Sequence, residues 1–183
     1  MKIVAFSAST SRQSINGILV RLAAARLEAL AGKPLDIVTL DLNDYEMPIY
    51  SIDKQNEGGI PQAAEAFFAQ IGAADALLIG YAEHNGFYTA AWKNTFDWMS
   101  RVEMRVFQDK PMVIMAASPG GGGGGNVLKT AETSAPFFGA DIRGSVSVGK
   151  WYEAYDAETG ALTRPDDNAA LDAALAKLLA PAA

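Results

Sequence analysis

Three short stretches hold the side chains that could do chemistry. The first is Ser7-Ala8-Ser9-Thr10-Ser11-Arg12-Gln13-Ser14-Ile15-Asn16, dense in hydroxyls and carrying one guanidinium. Ser and Thr hydroxyls donate to phosphate oxygens, and Arg12 adds charge-assisted bonds. A helix beginning here would offer free N–H groups and a partial positive charge to the same anion. One residue, Ser14 or Asn16, suffices to cap a helix. The surplus of hydroxyls points to a bound phosphate. The second stretch is Ala82-Glu83-His84-Asn85-Gly86. Asn-Gly turns can aim backbone N–H groups outward, which suits the polar edge of a flavin, whose electronics a protein tunes by hydrogen bonds. His84 beside the turn reads either as an exposed loop or subunit-contact residue, or as part of a substrate face where it could donate a proton. The third stretch is Ser118-Pro119 followed by glycines from Gly120 to Gly125 and then Asn126. So many glycines are costly to order. They permit close backbone approach to a planar ligand, or they form a mobile lid.

Each stretch follows an apolar run and precedes a helical pattern, which is how βα loops are placed. Ile3–Phe6, Leu35–Leu40, Ala76–Tyr81, Met112–Ala117 and the alternating Ile142, Val146, Val148 read as five strands. Helical spacing appears in Ile15, Ile18, Leu19, Leu22, Arg26, Leu27 and Leu30, with Gly32 as the stop. It recurs in Ala64, Phe67, Phe68, Ile71 after Pro61, and in Tyr88, Ala91, Trp92, Thr95, Phe96, Met99. Val127 to Phe138 suits a fourth helix, and a last one holds Leu171, Ala174, Leu175, Leu178 and Leu179, capped by Asp167 or Asn168. Strand–helix alternation predicts an α/β fold: a parallel sheet with helices on both faces. Five strands fit the flavodoxin-like order 2-1-3-4-5, which brings the loops after strands one, three and four to one site at the carboxyl edge. Asp44–Ile60 is long for a connection and so is expected to be functional or mobile. Ala157-Glu158-Thr159-Gly160 marks a surface hairpin turn. Trp92 and Phe96 read as packing, and Asp97 with Arg101 as an exposed i, i+4 pair.

The chain has 183 residues and half of them are apolar, which fits one globular domain over 1–183. The net charge of −6 argues against nucleic acid and against an acidic membrane surface. With no Cys and with His84 as the lone histidine, thiol chemistry, Cys-ligated clusters and multi-histidine metal sites are excluded. No metal site is expected. No apolar run reaches membrane-span length, so the expected location is cytoplasmic. The first loop lacks both Gly-x-Gly-x-x-Gly and Gly-x-x-x-x-Gly-Lys-Ser/Thr, so neither a dinucleotide Rossmann site nor a P-loop is expected.

At these residues the chain resembles the NADPH-dependent FMN reductase family, a flavodoxin-like group that includes quinone, azo-dye and chromate reductases. The resemblance rests on Ser9, Ser14 and Asn16 in the first loop. It continues through Glu83, Asn85 and Gly86 to Trp92-Lys93-Asn94-Thr95-Phe96-Asp97-Trp98, and through Ser118-Pro119-Gly120-Gly121 and Pro48-Ile49-Tyr50. Against the family pattern, Ala8 replaces a glycine, Ser11 stands where the arginine would be with Arg12 one position later, and Ala82 and His84 replace proline and tyrosine. The resemblance implies bound FMN and NADPH or NADH as electron donor. The activity it implies passes a hydride through the flavin to a quinone, azo compound, metal oxyanion or free flavin. It implies that Ser9, Ser14 and Asn16 hold the phosphate, assisted by Ser11 or Arg12. Ala82, Glu83, His84, Asn85 and Gly86 would border the isoalloxazine, with Ser118, Gly120 and Gly121 near its other edge. No side chain is assigned as catalytic, because the flavin carries the hard chemistry. The family also implies a homodimer or homotetramer, for which the aromatic residues of the Asp44–Ile60 segment and the third helix are candidate contacts. A flavodoxin-like electron carrier or a non-catalytic binding module is the alternative.

Overall fold

The computed structural model describes residues 1–180. Five parallel strands form the central sheet: β1 (Lys2–Ser7), β2 (Asp36–Leu40), β3 (Ala76–Gly80), β4 (Lys110–Ala117) and β5 (Ala140–Val148). Their order across the sheet is β2-β1-β3-β4-β5, and every neighbouring pair is parallel. The flavodoxin-like expectation is met. Seven helices are described: α1 (Ile15–Ala31), α2 (Ile52–Gly58), α3 (Gln62–Ala73), α4 (Ala90–Val102), α5 (Gly125–Ser134), α6 (Trp151–Ala154) and α7 (Pro165–Leu179).

Because successive strand side chains point to opposite faces, the sheet divides the core in two. Val4, Phe6, Leu77, Ile79, Met112 and Ile114 pack with Phe67 and Ile71 of α3, Trp92 and Met99 of α4, and Val127 and Ala131 of α5. Ile3, Ala5, Leu78, Val113 and Met115 pack on the other side with Leu19, Ala23 and Leu27 of α1 and Leu171 and Leu175 of α7. Residues of β1 and β3 are buried on both faces, which is why those runs read as continuously apolar. β5 lies at the edge and alternates, burying Val146 and Val148 between exposed Ser145 and Ser147.

Four local expectations need correction. The Asp44–Ile60 connection is not structureless: it contains α2, capped by Ser51, whose hydroxyl accepts the Lys54 N–H at 3.2 Å. Helix α7 starts at Pro165 rather than after Asp167 or Asn168. Proline suits the first helical turn, where its missing N–H has no partner to lose. Asn168 instead donates to the Leu162 and Arg164 carbonyls. Asp97 pairs with Lys93 at 2.7 Å, and not with Arg101, whose guanidinium lies 5.6 Å from the Tyr50 ring centre. The fourth helix closes at Ser134, and Ala135–Phe138 tightens into a 3-10 turn around Pro136. The hairpin expected at Ala157–Gly160 is present, pairing Tyr155–Asp156 with Ala161–Leu162.

Candidate functional site

The three loops leave the carboxyl ends of β1, β3 and β4, adjacent strands in the middle of the sheet. Hydrogen bonds tie each loop to the other two. Thr89 Oγ1 donates to the Ala8 carbonyl at 2.8 Å and accepts the Trp92 N–H at 3.1 Å, so the cap of α4 also holds the first loop. Asn16, 3% exposed, donates to the Ala117 carbonyl at 3.2 Å and accepts the Ala117 N–H at 2.8 Å, locking the start of α1 onto the end of β4. Glu83 accepts the Val127 N–H at 2.9 Å and the Asn126 Nδ2 at 3.4 Å. It thereby caps α5 from a different loop. The cap position of α5 is Gly124, which has no side chain to do so.

The first loop surrounds a hollow of about 130 Å³ lined by Ser7, Ser9, Ser11, Arg12 and Ser14, together with α1 residues and the end of β2. Ser14 caps α1, accepting the Gly17 N–H at 3.3 Å, and its hydroxyl meets Ser7 Oγ at 3.2 Å. Ser9 is buried and accepts the Ser11 N–H at 3.2 Å. Ser11 and Arg12 are exposed on the rim. Asn16 is not in the lining of this hollow: both polar ends of its amide are bonded to Ala117, which fixes the start of α1 next to Ser14.

The second loop is a miniature hairpin. Glu83–His84 pairs with Phe87–Tyr88 across Asn85-Gly86, whose φ values are 53° and 78°. Positive φ at both central residues is what a two-residue hairpin turn of type I′ requires, and Asn-Gly is its favoured sequence. Ala82 is buried, whereas His84 and Asn85 are exposed at the tip. Tyr81 packs against Tyr88 and Trp92 beneath the hairpin. Its hydroxyl is buried without a hydrogen-bond partner among the described residues. Burial, and then Tyr88, push its pKa well above the usual phenol value, so it stays neutral.

In the third loop Ser118 Oγ donates to the Gly120 carbonyl at 2.9 Å, and Gly120 in turn accepts the Lys150 N–H at 2.8 Å. Gly123 and Gly124 have φ of 59° and 74°. A Cβ on Gly124 would stand 2.6 Å from the Ala116 Cβ, and one on Gly123 would run into Ser147 Oγ. Around Gly120, Gly121, Gly122 and Gly125 a Cβ would meet nothing within 4 Å.

A larger hollow of about 540 Å³ opens beside the first loop, between Leu42–Tyr50 and α4, with Thr10, Tyr45, Tyr50, Ala91 and Asn94 in its wall. Sequence reasoning marked the Asp44–Ile60 segment for its length, for Pro48-Ile49-Tyr50 in the resemblance and for aromatic subunit contacts, but not as the wall of a hollow. Asn94, in the helix that carries the resemblance, organises it. Its amide donates to the Met47 carbonyl at 3.1 Å and accepts the Tyr50 N–H at 2.9 Å. Trp98 Nε1 donates to the Pro48 carbonyl at 2.7 Å, and Tyr50 meets the Trp98 ring edge-on at 5.0 Å. The aromatic residues considered as subunit contacts thus pack on one another within the chain, while Ile49 remains 78% exposed.

The profile of the NADPH-dependent FMN reductase family matches residues 1–153. The chain belongs to that family. A quinone reductase of Escherichia coli K12 is 31% identical over 118 residues, 64% of this chain and 60% of the relative. An NAD(P)H-dependent FMN reductase of Pseudomonas aeruginosa is 36% identical over 119 residues, 64% of this chain and 60% of the relative. The chain therefore spans about 60% of the length of these curated relatives. Among solved structures, the flavoenzyme NAD(P)H:(acceptor) oxidoreductase FerB of Paracoccus denitrificans superposes with a TM-score of 0.74 at 23% identity, covering 97% of this chain and 94% of that one. A flavodoxin of Pseudomonas aeruginosa gives 0.59 at 14% identity, covering 98% and 100%. At those identities the two structures speak for the fold alone. All three linked loops lie within the part of the chain that matches the FMN reductase family.

Proposed function

We propose that this chain is an FMN-dependent NAD(P)H oxidoreductase acting on small-molecule acceptors. The observation that carries the reading is the hydroxyl-lined hollow at the amino end of α1, formed by the first loop and the carboxyl end of β2 in a chain of the FMN reductase family. The residues there fit a phosphorylated flavin. Ser9 is buried and, among the described residues, uses its hydroxyl only as an acceptor for the Ser11 N–H, which leaves its proton for a ligand. Arg12 has no carboxylate partner among the described residues. A phosphate would be held by Ser9, Ser11, Arg12 and Ser14, with Asn16 fixing the start of α1 next to Ser14. The backbone of Ala82–Gly86 and of Ser118–Gly121 would border the ring, with His84 at the rim.

Bound FMN would supply the redox chemistry, taking a hydride from NADPH or NADH and returning it to a quinone, azo compound, metal oxyanion or free flavin. The chain's part is to bind and orient. The cross-loop bonds of Thr89, Asn16 and Glu83 hold the loops in one arrangement before any ligand arrives, which lowers the ordering cost of binding. Tyr81 stays a neutral phenol beneath the site and adds no charge there. The hollow walled by Tyr45, Tyr50 and α4 offers apolar surface for an acceptor ring. A homodimer or homotetramer in the cytoplasm is part of the same proposal.

The test is an FMN titration of the purified apoprotein followed by flavin fluorescence and absorbance, then anaerobic addition of NADPH. Saturable binding with a perturbed spectrum and rapid bleaching by NADPH is the expected result. Absence of binding at FMN concentrations well above that of the protein would overturn the reading. Binding with slow bleaching but fast electron exchange with a partner protein would make the chain a carrier instead.

A further inference from the structure

The hollow of about 130 Å³ that the first loop surrounds has a second basic wall that the sequence motifs do not mark. Arg21, in the second turn of α1, lines it together with Arg12. Its Nη1 lies 3.5 Å from the position a Cβ on Gly17 would take, so the guanidinium folds back over the first turn of the helix. Side chains on a helix lean toward its amino end, and Gly17, one turn earlier, leaves that path clear.

Arg21 has no carboxylate partner among the described residues. The single acidic residue lining the hollow, Asp41, turns its Oδ1 to Asn43, accepting the backbone N–H at 2.9 Å and the side-chain amide at 2.7 Å. Ser9, 8% exposed and in the same lining, has a hydroxyl that accepts the Ser11 N–H and whose proton has no acceptor among the described residues. The chain carries a net charge of −6, so a dianion approaching it needs a local excess of positive charge. A phosphate monoester carries between one and two negative charges near neutral pH, and one arginine does not balance it.

We infer that Arg21 is a phosphate-binding residue, the second cation of a two-arginine clamp with Arg12 around a terminal phosphate monoester. The clamp deepens the flavin proposal, on which its choice of FMN as the source of that phosphate rests. It also makes the site discriminate FMN from riboflavin through charge rather than through ring contacts. A guanidinium keeps its charge at all working pH values and matches phosphate oxygens with paired donors.

Fluorescence titrations of wild type, Arg21→Ala and Arg21→Lys with FMN and, separately, riboflavin test the assignment. Loss of a charged hydrogen-bonding partner is expected to weaken FMN binding about ten- to a hundredfold. Riboflavin affinity should stay unchanged, and Arg21→Lys should recover part of the loss. Equal FMN affinity in wild type and Arg21→Ala, or an equal loss for both ligands, would overturn it. Orthophosphate supplies the arm that is independent of flavin: it should raise the melting temperature of wild type and not that of Arg21→Ala. If wild type takes no FMN yet shows this phosphate effect, the flavin reading falls and Arg21 serves a phosphomonoester from another source. NADPH against NADH would then be compared for the 2′-phosphate. If wild type responds to neither FMN nor orthophosphate, both fall.

Discussion

The glycine run from Gly120 to Gly125 contains two regions that the sequence writes identically. Gly123 and Gly124 sit at positive φ against Ser147 and Ala116, where a Cβ has no room. Gly120 to Gly122 lie in open space, tethered by the Ser118 hydroxyl and by the Lys150 N–H to Gly120. The first region is glycine because the backbone turns sharply from β4 into α5. In the second no steric demand from the chain requires glycine, which leaves surface free for something to approach. A homopolymeric run can therefore hold a sterically obliged turn and an unobstructed surface side by side.

The largest expected effect tests the crowded half. Gly124→Ala combines a left-handed backbone with overpacking against Ala116, and should cost about 2–4 kcal/mol. For a chain of this size each kcal/mol lowers the melting temperature by about 2–4 °C, so a thermal melt reads it directly. A loss below about 1 kcal/mol would erase the distinction between the halves. Next comes the cap that holds α5 from outside. Glu83→Ala should cost about 1–2 kcal/mol in urea unfolding, and hydrogen exchange should quicken more at Val127, which loses its own acceptor, than at β1 amides. Ser118→Ala, which removes the bond to the Gly120 carbonyl, should cost about 0.5–1.5 kcal/mol and is read by the same unfolding curve. The smallest effect has the opposite sign. Gly121→Ala stiffens the unfolded chain where the folded one has space, and should stabilise by about 0.4–1 kcal/mol. Its FMN affinity sharpens the comparison, because a methyl group on a ligand-facing glycine should weaken binding even as the melt rises.

Much of the architecture was legible because burial leaves a period. The buried stretches of β1, β3 and β4 are apolar since both faces of the sheet are covered, and Gly32 ends α1 as its position predicts. Helix α2 escaped because none of its residues is buried. Without an apolar stripe it has no period to detect, and only Ser51 three residues before Lys54 hints at a cap. Asp97 was paired with Arg101 on a spacing that Lys93 satisfies equally, since both stand one helical turn away. Tyr50 decides between them by arriving from the other side of the sequence to meet Arg101. At the site, the three loops were legible from their residue types and from the strands before them. The bonds between the loops were not, because Thr89 reaches Ala8, Asn16 reaches Ala117 and Glu83 reaches Val127 across 81, 101 and 44 positions. Arg21 was missed for a related reason: a basic residue on an amphipathic helix has no local signature until the fold shows which way it bends.

Thr89, Asn16 and Glu83 share one trait. Each reaches main-chain atoms of another segment with its side chain: the Ala8 carbonyl, the N–H and carbonyl of Ala117, the Val127 N–H, with the Asn126 amide the one side-chain partner among them. Every residue type except proline presents the same peptide groups. The receiving positions are therefore limited in side-chain size by the core around them but are chemically indifferent, and the reaching positions are not. Mutational tolerance at the rim of this sheet is one-sided. Ala8, Ala117 and Val127 can drift among residues of similar bulk without breaking a bond, whereas a single change at Thr89, Asn16 or Glu83 uncouples two loops at once.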